Sequence, residues 1–413
     1  KSIYVTKKIM SIIVMKFGGT SVGNIDRIKN VAKIVKKSVD QGNSVVVAVS
    51  AMAGVTNELQ KKAENISKNF NPEDCDLLLS SGEQVSTALL SGALNEIKIK
   101  AKTLMCWQIP IVTEGKHTNS RIISVNTDII EKFLNQNFVV VIPGFQGINE
   151  QLRINTLGRG GSDASAVALA KCLNAVRCEI FTDVDGVFTT NPDVNSKAKK
   201  IDKISYDEML EMSSLGAKVM QSSSVQSAML NNIEVYVKSS FKETDGTSII
   251  NQNKISYDKV ITGVAFTKDD AKITLQGVKD KPGVASSIFK PLYENNIVVD
   301  MIVQNISADK LKTDITFTVK RRDFERTNSI MKNLIKNLDY EKIISNDKVS
   351  KVSVIGAGMI TYPGVAYKMF DSLYKENINI LAITTSEIKI SVLIDEINVE
   401  NAVKKLHSVF DLD

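Results

Sequence analysis

Histidine is nearly missing from this chain: its 413 residues include two, His117 and His407. That scarcity removes most Ser-His, Cys-His and His-metal mechanisms, so the chemistry is expected to run without histidine. The four cysteines, Cys75, Cys106, Cys172 and Cys178, show no CxxC spacing and are too sparse for a disulfide framework. A reducing compartment is expected, and no structural zinc or other protein-held metal. No apolar run approaches the ~18 residues of a membrane span, and the leading KSIYVTKKIMS lacks an apolar core followed by a small-residue cleavage site. The expectation is a cytoplasmic protein, neither exported nor embedded, with no membrane partner. A charge excess is lacking too: 52 Lys+Arg against 46 Asp+Glu leave +6, too little on this length to imply nucleic acid. What remains, 43% hydrophobic and 24% charged residues, is the balance of a folded globular protein. The length exceeds the ~250 residues at which single cores stop growing, so two or three domains are expected.

From Ile12 to about Ser240, short β-branched runs alternate with amphipathic stretches, the pattern of parallel strands joined by crossover helices. Strands are predicted at Ile12–Phe17, Val45–Ser50, Val139–Pro143, Glu179–Thr182 and Glu234–Lys238. Helices are predicted at Arg27–Val39, Thr56–Asn69, Glu73–Leu90, Ala164–Leu173, Tyr206–Ser213 and Ala217–Asn231. Gly, Ser, Thr and Asp clusters (GGTS, SAMAG, PGFQG, GRGGSD, TDVDG) flank the strands. An open α/β sheet places its ligand-binding loops there, beyond the strand C-termini.

After Ser240 a repeat begins. KPGVASSIFKPLYENNIVVDMIVQN from Lys281 aligns without gaps to YPGVAYKMFDSLYKENINILAITTS from Tyr362, with Pro282, Gly283, Val284, Ala285, Phe289, Leu292, Tyr293, Asn296 and Ile297 recurring. Each unit reads as strand, PGV turn, helix, strand, second strand and second helix, a βαββαβ ferredoxin-like module present twice. A Pro-Gly turn opening a helix leaves N–H groups able to hold a small acid; the plainer reading is that PG only makes the turn.

Four loops carry candidate chemistry. KFGGTSVGN brings two glycines and Lys16 to the end of a strand, which suits a polyphosphate, or serves as a turn beside an exposed lysine. It is neither a GxxxxGK[ST] loop nor GxGxxG. In TLGRGGSDASAVALA, Arg159 stands between glycines with the fork geometry that grips a carboxylate, and Asp163 is either a helix cap or a functional acid. FTDVDGVFTTNP carries Asp183 and Asp185, acids that order the loop or help bind a nucleotide or Mg²⁺. SSGEQVSTALL sets Glu83 near a helix start, as a macrodipole partner or as a carboxylate for an amino group.

Taken in order, KFGGTSV, VVVAVSAMAGVTN, SSGEQVS, TLGRGGSDASAVALA, FTDVDGVFTTNP and GAKV, followed by a doubled ACT-type module, resemble the aspartokinases over nearly the whole chain. The resemblance implies a three-layer αβα amino-acid-kinase-like domain with a mainly parallel sheet at 11–250, and ACT modules at 258–342 and 348–413. It implies transfer of phosphate from ATP, with Mg²⁺, to the β-carboxylate of L-aspartate. Lys16, Gly18, Gly19 and Ser21 would hold the phosphate, and Ser50 with Thr56 would line the substrate side. Glu83 would meet the α-ammonium and Arg159 the α-carboxylate. Asp163 would organise the lysine and the reacting groups, and Thr182, Asp183, Phe188 and Lys218 would receive the nucleotide. An ionised carboxylate needs no general base, which agrees with the shortage of histidine. Departures from the family pattern are TTNPD for TTDPR (Asn191, Asp193), Phe188 for Tyr, and Gln221 and Ser222 near a usual His-Pro pair.

The ACT resemblance further implies a homodimer or higher homo-oligomer through these modules and feedback inhibition by an end-product amino acid, lysine before threonine. Asp280, Gly283, Ala285, Gln304, Asn379 and Ile380 match that effector pocket. The rival expectations are a kinase for another amino acid and a non-catalytic amino-acid sensor of the same fold.

Overall fold

The computed structural model describes residues 11–215, 219–257, 259–306, 312–334 and 340–413. Two compact units divide the chain. The first holds most of residues up to 256; the second holds 257–413 together with Phe188–Lys199.

In the first unit, β-branched runs make an eight-stranded sheet. Its order is Lys203–Ser205, Thr247–Ile250, Val235–Ser239, Arg177–Thr182, Ile12–Phe17, Ser44–Val49, Val139–Pro143 and Ala101–Thr103. Every neighbouring pair is parallel except Val235–Ser239 with Thr247–Ile250. The period-2 alternation of side chains then sets two faces. Ile13, Met15 and Phe17, with Val45, Val47 and Val49, pack under Ile28, Val31, Ala32 and Val35 of the helix Ile25–Asp40 and Leu90 and Leu94 of Pro72–Glu96. Lys16 belongs to the opposite face, against which the helix Gly161–Cys172 packs. Helices thus cover both faces, which is why the central strands read as unbroken apolar runs.

A second, four-stranded sheet was not evident in the sequence: Asn119–Val125, Ile111–Lys116, Gln146–Ile148 and Ile154–Thr156, in that order. The predicted helix at Ala217–Asn231 is shorter, Ser222–Leu230, with Gln221 as its extended N-cap residue. Among the described residues no helix is long and apolar enough to cross a membrane.

The second unit contains one antiparallel six-stranded sheet, ordered Val299–Ile306, Lys312–Lys320, Gly263–Lys279, Lys342–Ile355, Lys389–Asp395 and Ala382–Thr385. The helices Val284–Glu294 and Phe324–Asn333 cover one half, and Val365–Lys375 and Val399–Val409 the other. The repeated residues have backbone reasons. Gly283 (φ 91°) and Gly364 (φ 101°) are left-handed N-cap residues, and Asn296 and Asn377 (both φ 55°) take the left-handed positions after the helices. The long strand Gly263–Lys279 runs through both modules. Gly263–Thr267 pairs with Lys351–Ile355, and Lys272–Gln276 with Lys342–Asn346, with register breaks between. The outer strand of the second module therefore precedes the first module in the chain.

His407 is fully buried in this unit, bonded to Thr189 Oγ1 (2.8 Å) and Asp413 Oδ1 (2.7 Å). It ties Phe188–Lys199 to the last helix and has no catalytic surroundings.

Candidate functional site

Parallel strands deliver their C-terminal ends to one edge of the sheet, and hydrogen bonds knit the loops leaving that edge. Gly18 N donates to Phe181 O, Ser50 N to Phe17 O, Gly144 N to Val49 O and Ser240 N to Thr182 O, at 2.9–3.1 Å. Space requires the second glycine of KFGG: a Cβ on Gly19 would stand 2.8 Å from Ala51 O, whereas one on Gly18 would only touch Lys16 Nζ, at 3.6 Å. Backbone therefore replaces side chain where an anion would sit.

Lys16 reaches the first turn of the helix Gly161–Cys172 and pairs with Asp163 at 2.6 Å, both side chains nearly buried. The cap at this helix is Gly160, not Asp163, so capping does not account for the acid. The pair is neutral overall: Asp163 fixes the position of the Lys16 ammonium, whose remaining N–H donors an incoming phosphate can recruit.

Glu83 lies well inside the 25-residue helix Pro72–Glu96, not near its start, so the macrodipole does not explain it. Its side chain is buried. Oε1 accepts from Ala51 N (3.1 Å), while the buried Oε2 has no hydrogen-bond partner among the described residues. Burial raises its pKa from 4.5 to about 7, against the small opposing effect of the Ala51 N–H. An orphaned carboxylate oxygen beside Ala51, whose carbonyl abuts Gly19, is a receptor for a cation.

Arg159 is exposed between Gly158 and Gly160, both at φ 73°. Among the described residues its side chain has no ion pair or hydrogen bond, so its guanidinium is available to an outside carboxylate. Gly160 is pressed by Gln221: a Cβ there would lie 2.0 Å from Gln221 Cγ. The residue that departs from the family pattern thus packs on the loop carrying Arg159.

The remaining predicted residues distribute as follows. Ser50 and Thr56 flank the Ala51–Gly54 loop, half-buried. Ser21 is buried; its N–H closes a turn on Gly18 O and its hydroxyl accepts from Ser240 Oγ (2.8 Å), so it holds the loop together. Thr182 donates to Asp183 Oδ1 (3.2 Å), Asp183 is exposed, and Asp185 pairs with Lys242 (3.1 Å). Phe188 belongs to the second unit, and Lys218 lies outside the described residues. Asn191 Oδ1 accepts from Asp193 N (2.9 Å), a local turn in the second unit. Asp280, Gly283, Ala285, Gln304 and Asn379 are exposed and Ile380 is half-buried. Sequence reasoning missed Asp76, one acid among several early in its helix. It is fully buried and joined to His117, Thr118 and Thr156. Among the described residues no group of three or more His, Cys, Asp or Glu is placed to hold a metal ion.

The family comparisons agree with this geometry. Residues 11–239 match the amino acid kinase family, and 273–332 and 352–410 match the ACT domain. The chain is 47% identical to the aspartate kinase of Pseudomonas fluorescens, with 98% of each chain covered. It is 45% identical to the aspartokinase of Helicobacter pylori, covering 97% of this chain and 100% of that one. The crystal structure of E. coli aspartokinase III in complex with aspartate and ADP has a TM-score of 0.78 at 26% identity, covering 96% of this chain and 99% of that one. The same enzyme in complex with lysine and aspartate gives 0.74 at 27% identity, covering 97% and 99%. A glycine-lined lysine, a buried acid with one unpaired oxygen and a doubled ACT sheet, together with these relatives, make this chain a member of the aspartate kinases within the amino acid kinase family.

Proposed function

We propose that the chain transfers the γ-phosphoryl group of ATP to the β-carboxylate of L-aspartate, giving 4-phospho-L-aspartate and ADP. The observation that carries this reading is the orphaned Oε2 of Glu83, a buried cation receptor on the same loop cluster as the Lys16–Asp163 couple. The α-ammonium of aspartate satisfies Glu83 and its α-carboxylate takes Arg159, which points the side-chain carboxylate toward Lys16. One oxygen of that carboxylate forms the new P–O bond as the bond from the γ-phosphorus to the β–γ bridging oxygen breaks. No proton has to be removed, since the nucleophile is already ionised. The residues act by alignment and by neutralising charge: Lys16 and the Gly18–Gly19 backbone meet the phosphoryl oxygens, with Asp163 holding Lys16 in place. Thr182, Asp183, Phe188 and Lys218 are proposed for the nucleotide, with Ser50 and Thr56 on the substrate side. Mg²⁺ would accompany the nucleotide phosphates; among the described residues no cluster of three or more His, Cys, Asp or Glu offers it a cage.

The two ACT modules are the proposed seat of feedback inhibition, lysine before threonine, through Asp280, Gly283, Ala285, Gln304, Asn379 and Ile380. The lysine complex of E. coli aspartokinase III supports lysine as the first choice. Assembly through the modules as a homodimer or larger, a cytoplasmic setting and a place at the first step of lysine, threonine and methionine biosynthesis complete the proposal. The test is ADP release with L-aspartate or L-glutamate as acceptor, with hydroxylamine to trap the acyl phosphate, repeated with lysine and threonine. Release with aspartate and a trapped aspartyl hydroxamate are expected; release with glutamate alone would overturn the substrate, and none with either would leave a sensor.

A further inference from the structure

We propose that Asp76 is a positioning residue for substrate binding, acting on the loop that carries Arg159; the proposal rests on Arg159 being the grip for the α-carboxylate of aspartate. Asp76 is fully buried in the helix Pro72–Glu96, two turns before Glu83. All of its partners come from elsewhere in the chain. His117 Nδ1 lies 2.7 Å from Oδ2, Thr118 N donates to both oxygens at 3.0 and 3.1 Å, and Thr156 Oγ1 donates to Oδ1. An ionised carboxylate only accepts, so Nδ1 of His117 carries the proton.

These contacts converge on two backbone segments. Thr118 has a left-handed backbone (φ 67°), unusual for a β-branched residue, in the tight turn between Ile111–Lys116 and Asn119–Val125. Thr156 ends the strand Ile154–Thr156, three residues before Arg159. The turn also presses on the loop itself. A Cβ on Gly158 would lie 2.8 Å from Asn119 Oδ1 and 3.4 Å from Thr118 O, and Asn155 Nδ2 donates to Ser120 Oγ at 2.8 Å. The buried carboxylate clasps the turn from one side and Thr156 from the other, with Gly158 between turn and arginine. Arg159 has an anchored backbone and, among the described residues, an unengaged guanidinium, the combination that orients a bound carboxylate without consuming its partner. Because Asp76 and Glu83 share one helix, one rigid element sets both ends of the amino acid.

The test is steady-state kinetics of Asp76→Asn, Thr156→Val and Thr156→Ser, each alone and combined with Arg159→Ala. Asp76→Asn and Thr156→Val should raise the KM for L-aspartate about tenfold or more, with KM for ATP little changed. Thr156→Ser, which keeps the hydroxyl, should restore the KM, and neither loss should add to that of Arg159→Ala. If Asp76→Asn does not fold, the Thr156 pair decides alone. A Thr156→Val enzyme with an unaltered KM for aspartate, or losses that simply multiply with that of Arg159→Ala, would sink the brace. An unaltered KM in Arg159→Ala itself would remove the grip on which the brace depends, and that result is separately visible.

Discussion

Replacing Glu83 by glutamine should make the ligand-free protein more stable and a worse binder of aspartate, with both effects governed by pH. The glutamine carbonyl still accepts from Ala51 N, so shape and one hydrogen bond survive. Burial raises the Glu83 pKa from 4.5 to about 7. At ~1.4 kcal/mol per unit, holding this group ionised in the empty site costs about 3 kcal/mol. The sign follows from proton counting. Below about 4.5 the group is neutral in folded and unfolded chains and contributes nothing. Between 4.5 and about 7 the unfolded chain gives up its proton first, so stability falls as pH rises, and above about 7 the full penalty applies. Glutamine carries no such penalty. Thermal unfolding of both proteins from about pH 5 to about pH 8.5 should show a stability gap favouring Glu83→Gln that opens with pH, by up to about 3 kcal/mol. Saturating aspartate should narrow the gap, because its ammonium compensates the wild-type carboxylate. In kinetics, the wild-type KM for aspartate should fall as pH rises through about 7, and that of Glu83→Gln should be high and flat. A gap that did not vary with pH, together with parallel KM profiles, would refute the assignment of the orphaned oxygen.

Three further outcomes are expected. Lys16→Ala should lower kcat by roughly 10³-fold, the scale of losing one preorganised charge at the transition state, and lower the melting temperature as well, because Asp163 is left buried without its partner; single-turnover rates and thermal unfolding measure the two effects. Gly160→Ala should both strain a left-handed residue, at ~1–2 kcal/mol, and push Gln221 aside, so its KM for aspartate should rise and its melting temperature fall. Asp280→Ala should raise the lysine concentration for half-inhibition about tenfold, the scale of one charge-assisted hydrogen bond, with uninhibited turnover nearly kept; equal loss of turnover would count against a separate effector site.

The architecture was legible where burial forces simple patterns. Ile12–Phe17 and Val139–Pro143 are read with their observed limits because central parallel strands carry apolar residues on both faces. The hairpin Ile111–Lys116 and Asn119–Val125 went unseen, since TEGK and NSR carry no alternation that distinguishes a strand from a loop. Lys16 and Arg159 were visible as residue types out of place, a lysine before glycines and an arginine between glycines, whereas Glu83 read as an acid near a helix start. Their meaning was only partly visible. That Glu83 sits far from its helix end, with one oxygen unpaired, depends on how deeply the helix packs. Asp76 is the extreme case, because its partners lie 41, 42 and 80 residues away and nothing local distinguishes it from Glu73 or Asp74.

The single strand threading both ACT modules makes them nested, not tandem. A peptide cut to begin at 348 would leave behind the Gly263–Thr267 segment that lies against Lys351–Ile355, and would present a bare row of N–H and C=O groups along Lys351–Ile355. Excision of the first module is similarly blocked, because both ends of its chain run onward into its neighbour. The two copies interlock through this strand, so neither is a freestanding cassette to be transplanted or expressed by itself.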